Sequence, residues 1–274
     1  MIRSAFFEPN NPIKFLNTTQ EISNYLNSKT GFLWVSIEAA TDEEILLILK
    51  ETFNFHPLTI EDCQSSGYQV AKLDDFISYV FIIAHAIKPT RDFHQLDTLK
   101  VNLYVGENFL VTCTTDFQMP PVEKTWDRVT KDFRLSNFGP DFLCHAVLDF
   151  LVDEYMPLID QMEDEIEWLE ETVLEKPSPA TLARLLDLKH SIMSLRRLIS
   201  PQREMINRLT RDEFTQIDPQ SRYYFRDIYD HLVRIQDLAD TIRDIVSGTM
   251  DIYLNSTNLR LNEVMKVLTI ISTI

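Results

Sequence analysis

RYYFRDIYDHLVRIQDLADTIRDIVSGTMDIYLNSTNLRLNEVMKVLTIISTI, residues 222–274, reads as one uninterrupted helix. A single glycine (Gly248) and no proline fall within it, and it ends in the apolar run Val267-Leu268-Thr269-Ile270-Ile271-Ser272-Thr273-Ile274. At about 1.5 Å per residue such a helix is roughly 80 Å long, more than twice the width of an ordinary domain. A helix of that length needs packing partners. The apolar stretch from Val264 is about half a membrane span, so it reads either as a buried helix end or as the start of a span cut short at the membrane boundary.

The helix carries a regular stripe. Asp230, Asp237, Asp244 and Asp251 recur every seven residues and fall on one side of a coiled-coil-like helix. Asn258, Met265 and Ser272 continue the stripe, with Asn255, Asn262 and Thr269 beside it. Polar side chains on a helix inside a membrane face a bundle interior or a water-filled path. Parallel copies around an axis would stack them into rings lining a pore. The other reading is a soluble coiled coil with a polar seam, and the apolar end favours the pore.

Composition narrows the classes. The chain has 274 residues, 45% hydrophobic and 25% charged, which is globular rather than disordered. Its five glycines agree with a helix-rich fold. With 42 acidic residues against 26 basic ones the net charge is −16, which disfavours nucleic-acid binding. An acidic surface attracts cations or simply keeps the chain soluble. Cys63, Cys113 and Cys144 are far apart and without a thiolate-zinc spacing, and are expected to be free thiols of a reducing compartment. The first residues lack the apolar core of a signal peptide, and no run of 18 apolar residues occurs. There is no phosphate loop, nucleophile elbow, metalloprotease helix or dinucleotide loop, so an enzyme is not expected. His56 and His85 read as hydrogen-bonded structural residues.

Two patterns precede the long helix. Residues 1–140 mix strand and helix around a small sheet: strands over 1–7, 31–37 and 78–87, a hairpin from 99–105 and 109–114 about Gly106-Glu107-Asn108, and a helix over 120–133. Thr41 with Glu44 forms a capping box, and Pro57 opens another helix. Residues 141–220 read as helix only. Leu151, Tyr155, Leu158, Met162, Ile166, Leu169 and Val173 make one apolar seam along a helix over 152–175. Its ten carboxylates form either a solvated face or a surface that concentrates cations. After Lys176-Pro177-Ser178-Pro179 a partner helix returns antiparallel over 180–209, with Pro201 expected to kink or break it. Residues 221–274 are then the long helix.

Several strings resemble the CorA family of divalent-cation (Mg²⁺/Co²⁺) channels. They are Tyr224-Phe225-Arg226-Asp227-Ile228-Tyr229-Asp230-His231, Arg243-Asp244-Ile245-Val246-Ser247-Gly248, Asp251-Ile252-Tyr253-Leu254, and Asn262-Glu263-Val264-Met265-Lys266-Val267-Leu268-Thr269-Ile270-Ile271. Upstream, His56-Pro57-Leu58-Thr59-Ile60-Glu61-Asp62 and Leu151-Val152-Asp153-Glu154-Tyr155 are similar too. The resemblance implies an α+β fold: an α/β/α sandwich forming a cytoplasmic funnel, then a very long stalk helix entering the cell (inner) membrane. It also implies a homopentamer, with a second membrane helix and a Gly-Met-Asn loop that this sequence does not reach.

By position, Asp62 and Asp227 match an acidic pair that holds regulatory Mg²⁺ between subunits, and Glu61 and Asp149 match residues near a second site. Asp251, Asn262, Met265 and Leu268 match pore-lining positions. The implied function is a cytoplasmic regulatory domain of a Mg²⁺ and Co²⁺ channel that closes when intersubunit Mg²⁺ is bound. A zinc transporter of the same superfamily and a soluble coiled-coil scaffold are the alternatives.

Overall fold

The computed structural model describes residues 1–28, 30–65, 67–88, 96–116, 119–131 and 138–273. The described residues of Met1–Lys88, Thr98–Glu154 and Leu198–Val233 form one compact unit, and those of Tyr155–Arg197 and Arg234–Ile274 form another.

The first unit is built on a seven-stranded sheet: β1 (Ile2–Phe7), β2 (Lys14–Leu16), β3 (Phe32–Glu38), β4 (Lys72–Asp75), β5 (Tyr79–Ile87), β6 (Thr98–Gly106) and β7 (Phe109–Thr114). The order is β2-β1-β3-β7-β6-β5-β4. Only the central pair β3–β7 is parallel, with Val35 opposite Val111. The expected hairpin is β6–β7, Val105 facing Leu110. Every residue of β3 and β5 is buried, so both faces of the sheet need a cover.

On one face, Leu33, Val35, Ile37, Phe81, Ile83, Tyr104 and Val111 meet Ile45, Ile48, Leu49, Phe55 and Ile60. Ile45 is on α2 (Asp42–Leu46), Ile48 and Leu49 are in a π-helical turn over Leu47–Thr52, Phe55 is in the link after it and Ile60 is on α3 (Pro57–Gln64), while α1 (Thr19–Leu26) adds Ile22. Thr41 caps α2 through the expected box. Pro57 stands in the first turn of α3, where His56 Nδ1 accepts the Leu58 N–H at 3.2 Å.

On the opposite face lie α4 (Pro120–Lys131) and α5 (Pro140–Asp153). Trp34 of β3 packs on Trp126 of α4 at 4.8 Å between centroids, and its indole N–H donates to Thr112 Oγ1 at 3.2 Å. Arg3 of β1 ties this layer to the sheet, reaching the buried Glu38 of β3 and, at 2.6 Å, Glu123 of α4. The result is the α/β/α sandwich. In chain order the long helices α6 (Met156–Glu175), α7 (Pro179–Arg211) and α8 (Ser221–Thr273) follow α5.

In the second unit Arg184 of α7 pairs with Glu165 of α6 at 2.6 Å and lies 4.0 Å over Trp168. Arg196 of α7 reaches Asp240 of α8 at 2.7 Å. The whole apolar seam from Leu151 to Val173 is buried. From Asn258 to Thr273 every residue of α8 is exposed.

Three expectations change. The helix over 152–175 is two helices, divided between Asp153 and Met156, because Pro157 has no N–H for a carbonyl one turn back and is tolerated only in a first turn. Of the kink or break expected at Pro201, the break is absent: Leu198, Ile199, Met205 and Ile206 around it are buried, and that packing outweighs the local cost. Cys63 and Cys113 are not free thiols but a disulfide, since α3 lies on the face of β7 that carries Cys113, with the two Cα atoms 6.7 Å apart; only Cys144 is a buried free thiol. The short elements β2, α1 and β4 went unforeseen.

Phe55 stacks on Tyr104 at 4.3 Å and also meets Tyr79 and Phe109. Phe55→Ala is expected to cost about 3–5 kcal/mol of stability, measured by denaturant unfolding. A cost near zero would mean that this cluster does not hold the helical cover on the sheet.

Candidate functional site

The C-terminal half of α5 passes the first turns of α8. His145 of α5 sits between the rings of Tyr224 at 5.4 Å and Phe225 at 5.7 Å, and Phe142 meets Tyr224 edge-on. These ring contacts set the register of the two helices. Four residues on from His145, on the same helix face, is Asp149; Asp227 and His231 have the same spacing on α8. One ligand atom each from Asp149, Asp227 and His231 lies within 4.8 Å of the others. Asp149 is half-buried, while Asp227 and His231 are exposed, so the group opens to solvent.

The electrostatics of this corner are strained. Burial holds the Asp149 carboxyl above the usual range, and Asp227 adds to the rise while His231 and Arg128 oppose it. Asp153, one turn on, is raised by burial and then by Asp149. His145 is pushed down to about 4, chiefly by burial, against the pull of Asp227. Two carboxylates that disfavour each other's charge, beside an imidazole, form a donor set whose repulsion a cation would relieve. Among the described residues this is the one such group of His, Cys, Asp and Glu side chains.

Asp62 lies elsewhere, on α3. Its Oδ2 is 2.7 Å from Lys72 Nζ, its Oδ1 accepts from Gln69 Nε2 at 2.7 Å, and its backbone carbonyl accepts from Lys100 Nζ at 2.6 Å. Burial works to lower the Lys72 ammonium, but the hydrogen bonds to Asp62 and Asp74 outweigh it and leave the pKa raised. Burial lowers that of Lys100, with Asp62 opposing. Glu61, next to Asp62, is exposed. A single chain thus gathers Asp149 with Asp227 and leaves Asp62 and Glu61 outside that group.

Asp251, Asn262, Met265 and Leu268 are all exposed on α8. No helix among the described residues is long and apolar enough to cross a membrane. His231 is the member of the cluster that the sequence reading passed over. Its signal was present in the four-residue spacing from Asp227, which puts both on one helix face.

A family model described as CorA-like Mg²⁺ transporter protein matches residues 29–274. The cobalt/magnesium transport protein CorA of Thermotoga maritima is 37% identical over 246 residues, covering 88% of this chain and 68% of that protein. The putative metal ion transporter YfjQ of Bacillus subtilis is 33% identical over 244 residues, covering 89% of this chain and 74% of its own length. The complete structure of the CorA magnesium transporter from Methanocaldococcus jannaschii superposes with a TM-score of 0.81 at 18% identity, covering 100% of this chain and 82% of that one. The cytoplasmic domain of ZntB from Vibrio parahaemolyticus gives a TM-score of 0.73 at 12% identity, covering 94% and 98%. At these identities the structural likenesses speak for the fold alone.

Folding keeps His145 neutral down to about pH 4, whereas in the unfolded chain it takes a proton near its ordinary value of 6.5. Its contribution to stability is therefore full above about pH 6.5 and is lost as the pH falls towards 4. His145→Asn should flatten the pH dependence of unfolding across that window. An unchanged slope would show that other groups carry it.

Proposed function

This chain belongs to the CorA-like Mg²⁺ transporter family, and from that membership we propose that it is the metal-sensing part of a pentameric Mg²⁺ and Co²⁺ channel. The family's members are ion transporters, not enzymes. The observation that carries the reading is the convergence of Asp149, Asp227 and His231 at the start of α8. The same helix continues to the proposed pore positions Asp251, Asn262, Met265 and Leu268.

Mg²⁺ is a hard ion that keeps much of its hydration and is held by one or two carboxylates. Asp149 and Asp227 fit it directly, with His231 reaching its hydration shell. Co²⁺ suits the imidazole as a direct ligand. Asp62 and Glu61 of a neighbouring subunit would complete the sites across the boundary. Filling them neutralises the facing carboxylates and favours the closed ring, and losing the ion restores their repulsion. High internal Mg²⁺ thereby closes the path and low Mg²⁺ releases it. Along α8, Asn262 supplies an amide to a hydrated ion, and Leu268 suits a hydrophobic constriction. The sensor would lie on the cytoplasmic side of the cell (inner) membrane. One feature favours a zinc transporter as a second reading, the imidazole of His231 in the donor set.

Divalent-ion protection tests this. A hundredfold excess of Mg²⁺ over its Kd should stabilise the chain by about 2.7 kcal/mol against heat, and slow its proteolysis. Asp227→Ala should remove that protection, and undiminished protection would overturn the assignment. His231→Ala should weaken Co²⁺ about tenfold while changing Mg²⁺ by less than about threefold. Binding of Zn²⁺ far ahead of both ions, with no protection by Mg²⁺, would select the second reading.

A further inference from the structure

We propose that Lys72 is a tethered cation standing on the metal-binding oxygen of Asp62, and that Asp74 takes it over when a divalent ion arrives. The inference rests on the reading above that Asp62 holds a divalent ion between subunits. Gln69 Nε2 occupies Asp62 Oδ1 at 2.7 Å, which leaves Oδ2 as the freer oxygen, and Lys72 Nζ is on it at 2.7 Å. The same ammonium is 3.0 Å from Asp74 Oδ2. Lys72 and Asp74 are alternate residues of β4, so both side chains project from one face of the strand. A lysine released from Asp62 has its second carboxylate already in contact.

The two lysines at this corner differ. Lys100 Nζ donates to the carbonyls of Asp62 at 2.6 Å and Ser65 at 2.5 Å, and to Gln69 Oε1 at 3.1 Å. It is buried and fully engaged, a fixed clasp on the end of α3. Lys72 has a side chain 42% exposed, beside an Asp62 side chain 21% exposed, so it can swing on its flexible stem. Its partners among the described residues are the two carboxylates and, at 5.7 Å, the ring of Phe81, none of them a backbone group.

The consequence is a threshold. A monovalent ion brings Asp62 no more charge than the ammonium already there, and gains little by replacing it. A divalent ion brings twice the charge and can displace it, while Asp74 retains the lysine. Lys72 therefore lowers the affinity of Asp62 for every cation and leaves an advantage only to divalent ones, so the site stays metal-free until their concentration is substantial.

The test is a Mg²⁺ titration by calorimetry on the purified chain in potassium buffer, with unfolding in the absence of metal as the check that each variant is folded. Lys72→Met should tighten Mg²⁺ binding about threefold to tenfold, and Lys72→Gln should do the same. Asp74→Asn should weaken it by a similar factor, because Lys72 then rests on Asp62 alone. In the Lys72→Met background Asp74→Asn should have no effect, since no lysine remains to hand over. A persisting Asp74→Asn effect in that background would mean a ligand or general charge role for Asp74, and overturns the hand-over. Lys72→Met without effect, where Asp62→Asn removes a binding step, overturns the displacement while leaving Asp62 a ligand. Asp62→Asn with no loss of Mg²⁺ binding overturns the assignment of Asp62 itself, and the Lys72 proposal with it.

Discussion

Every residue of β3 is buried, so the sheet has no wet face at its centre and must carry a helical layer on each side. The parallel β3–β7 pair makes this unavoidable, because a parallel connection needs a long crossover and crossovers cover faces. The stretch between β3 and β7 supplies α2, the π-helical turn and α3 on one face, as well as the strands β4, β5 and β6. The stretch after β7 supplies α4 and α5 on the other. The proposed metal-binding positions inherit their places from these layers. Asp62 is on the cover of one face, and Asp149 is on the cover of the opposite face.

The two acidic positions of the first unit differ in how their charge is met. Asp62 is answered within its own chain by Lys72 and by the carbonyl-bound Lys100. Asp149 has His231 and Arg128 against its charge among the described residues, and burial with Asp227 still leaves its pKa raised. A chain of net charge −16 thus compensates Asp62 closely within itself and Asp149 less closely. General attraction of cations by acidic surface does not distinguish these cases; the partners within hydrogen-bond reach do.

Much of this was legible in advance. The capping box at Thr41, the first-turn proline of α3, the hairpin about Gly106 and the seam from Leu151 to Val173 depend on neighbours a few residues apart, so local spacing reveals them. The misses have the opposite character. Pro157 lies within an apolar period that runs unbroken across it, and the period alone conceals the division of α5 from α6. Pro201 survives inside α7 because of packing from distant residues. Strand β2 exposes two of its three residues and offered no alternation strong enough to read. Cys63 and Cys113 are 50 residues apart, and nothing local announces their pairing.

The sequence by itself determined the α+β class, the length and stripe of α8, and the family to which the chain belongs, because these are written in periodicity and contiguous strings. Only the tertiary structure decided that Asp149 meets Asp227 and His231, that Asp62 is held by Lys72 and Gln69, and that Cys63 finds Cys113. The physical reason is range. Helix and strand periods are set by torsions and neighbours within one or two turns. A site is set by which faces of separate elements the packing of a shared core brings together.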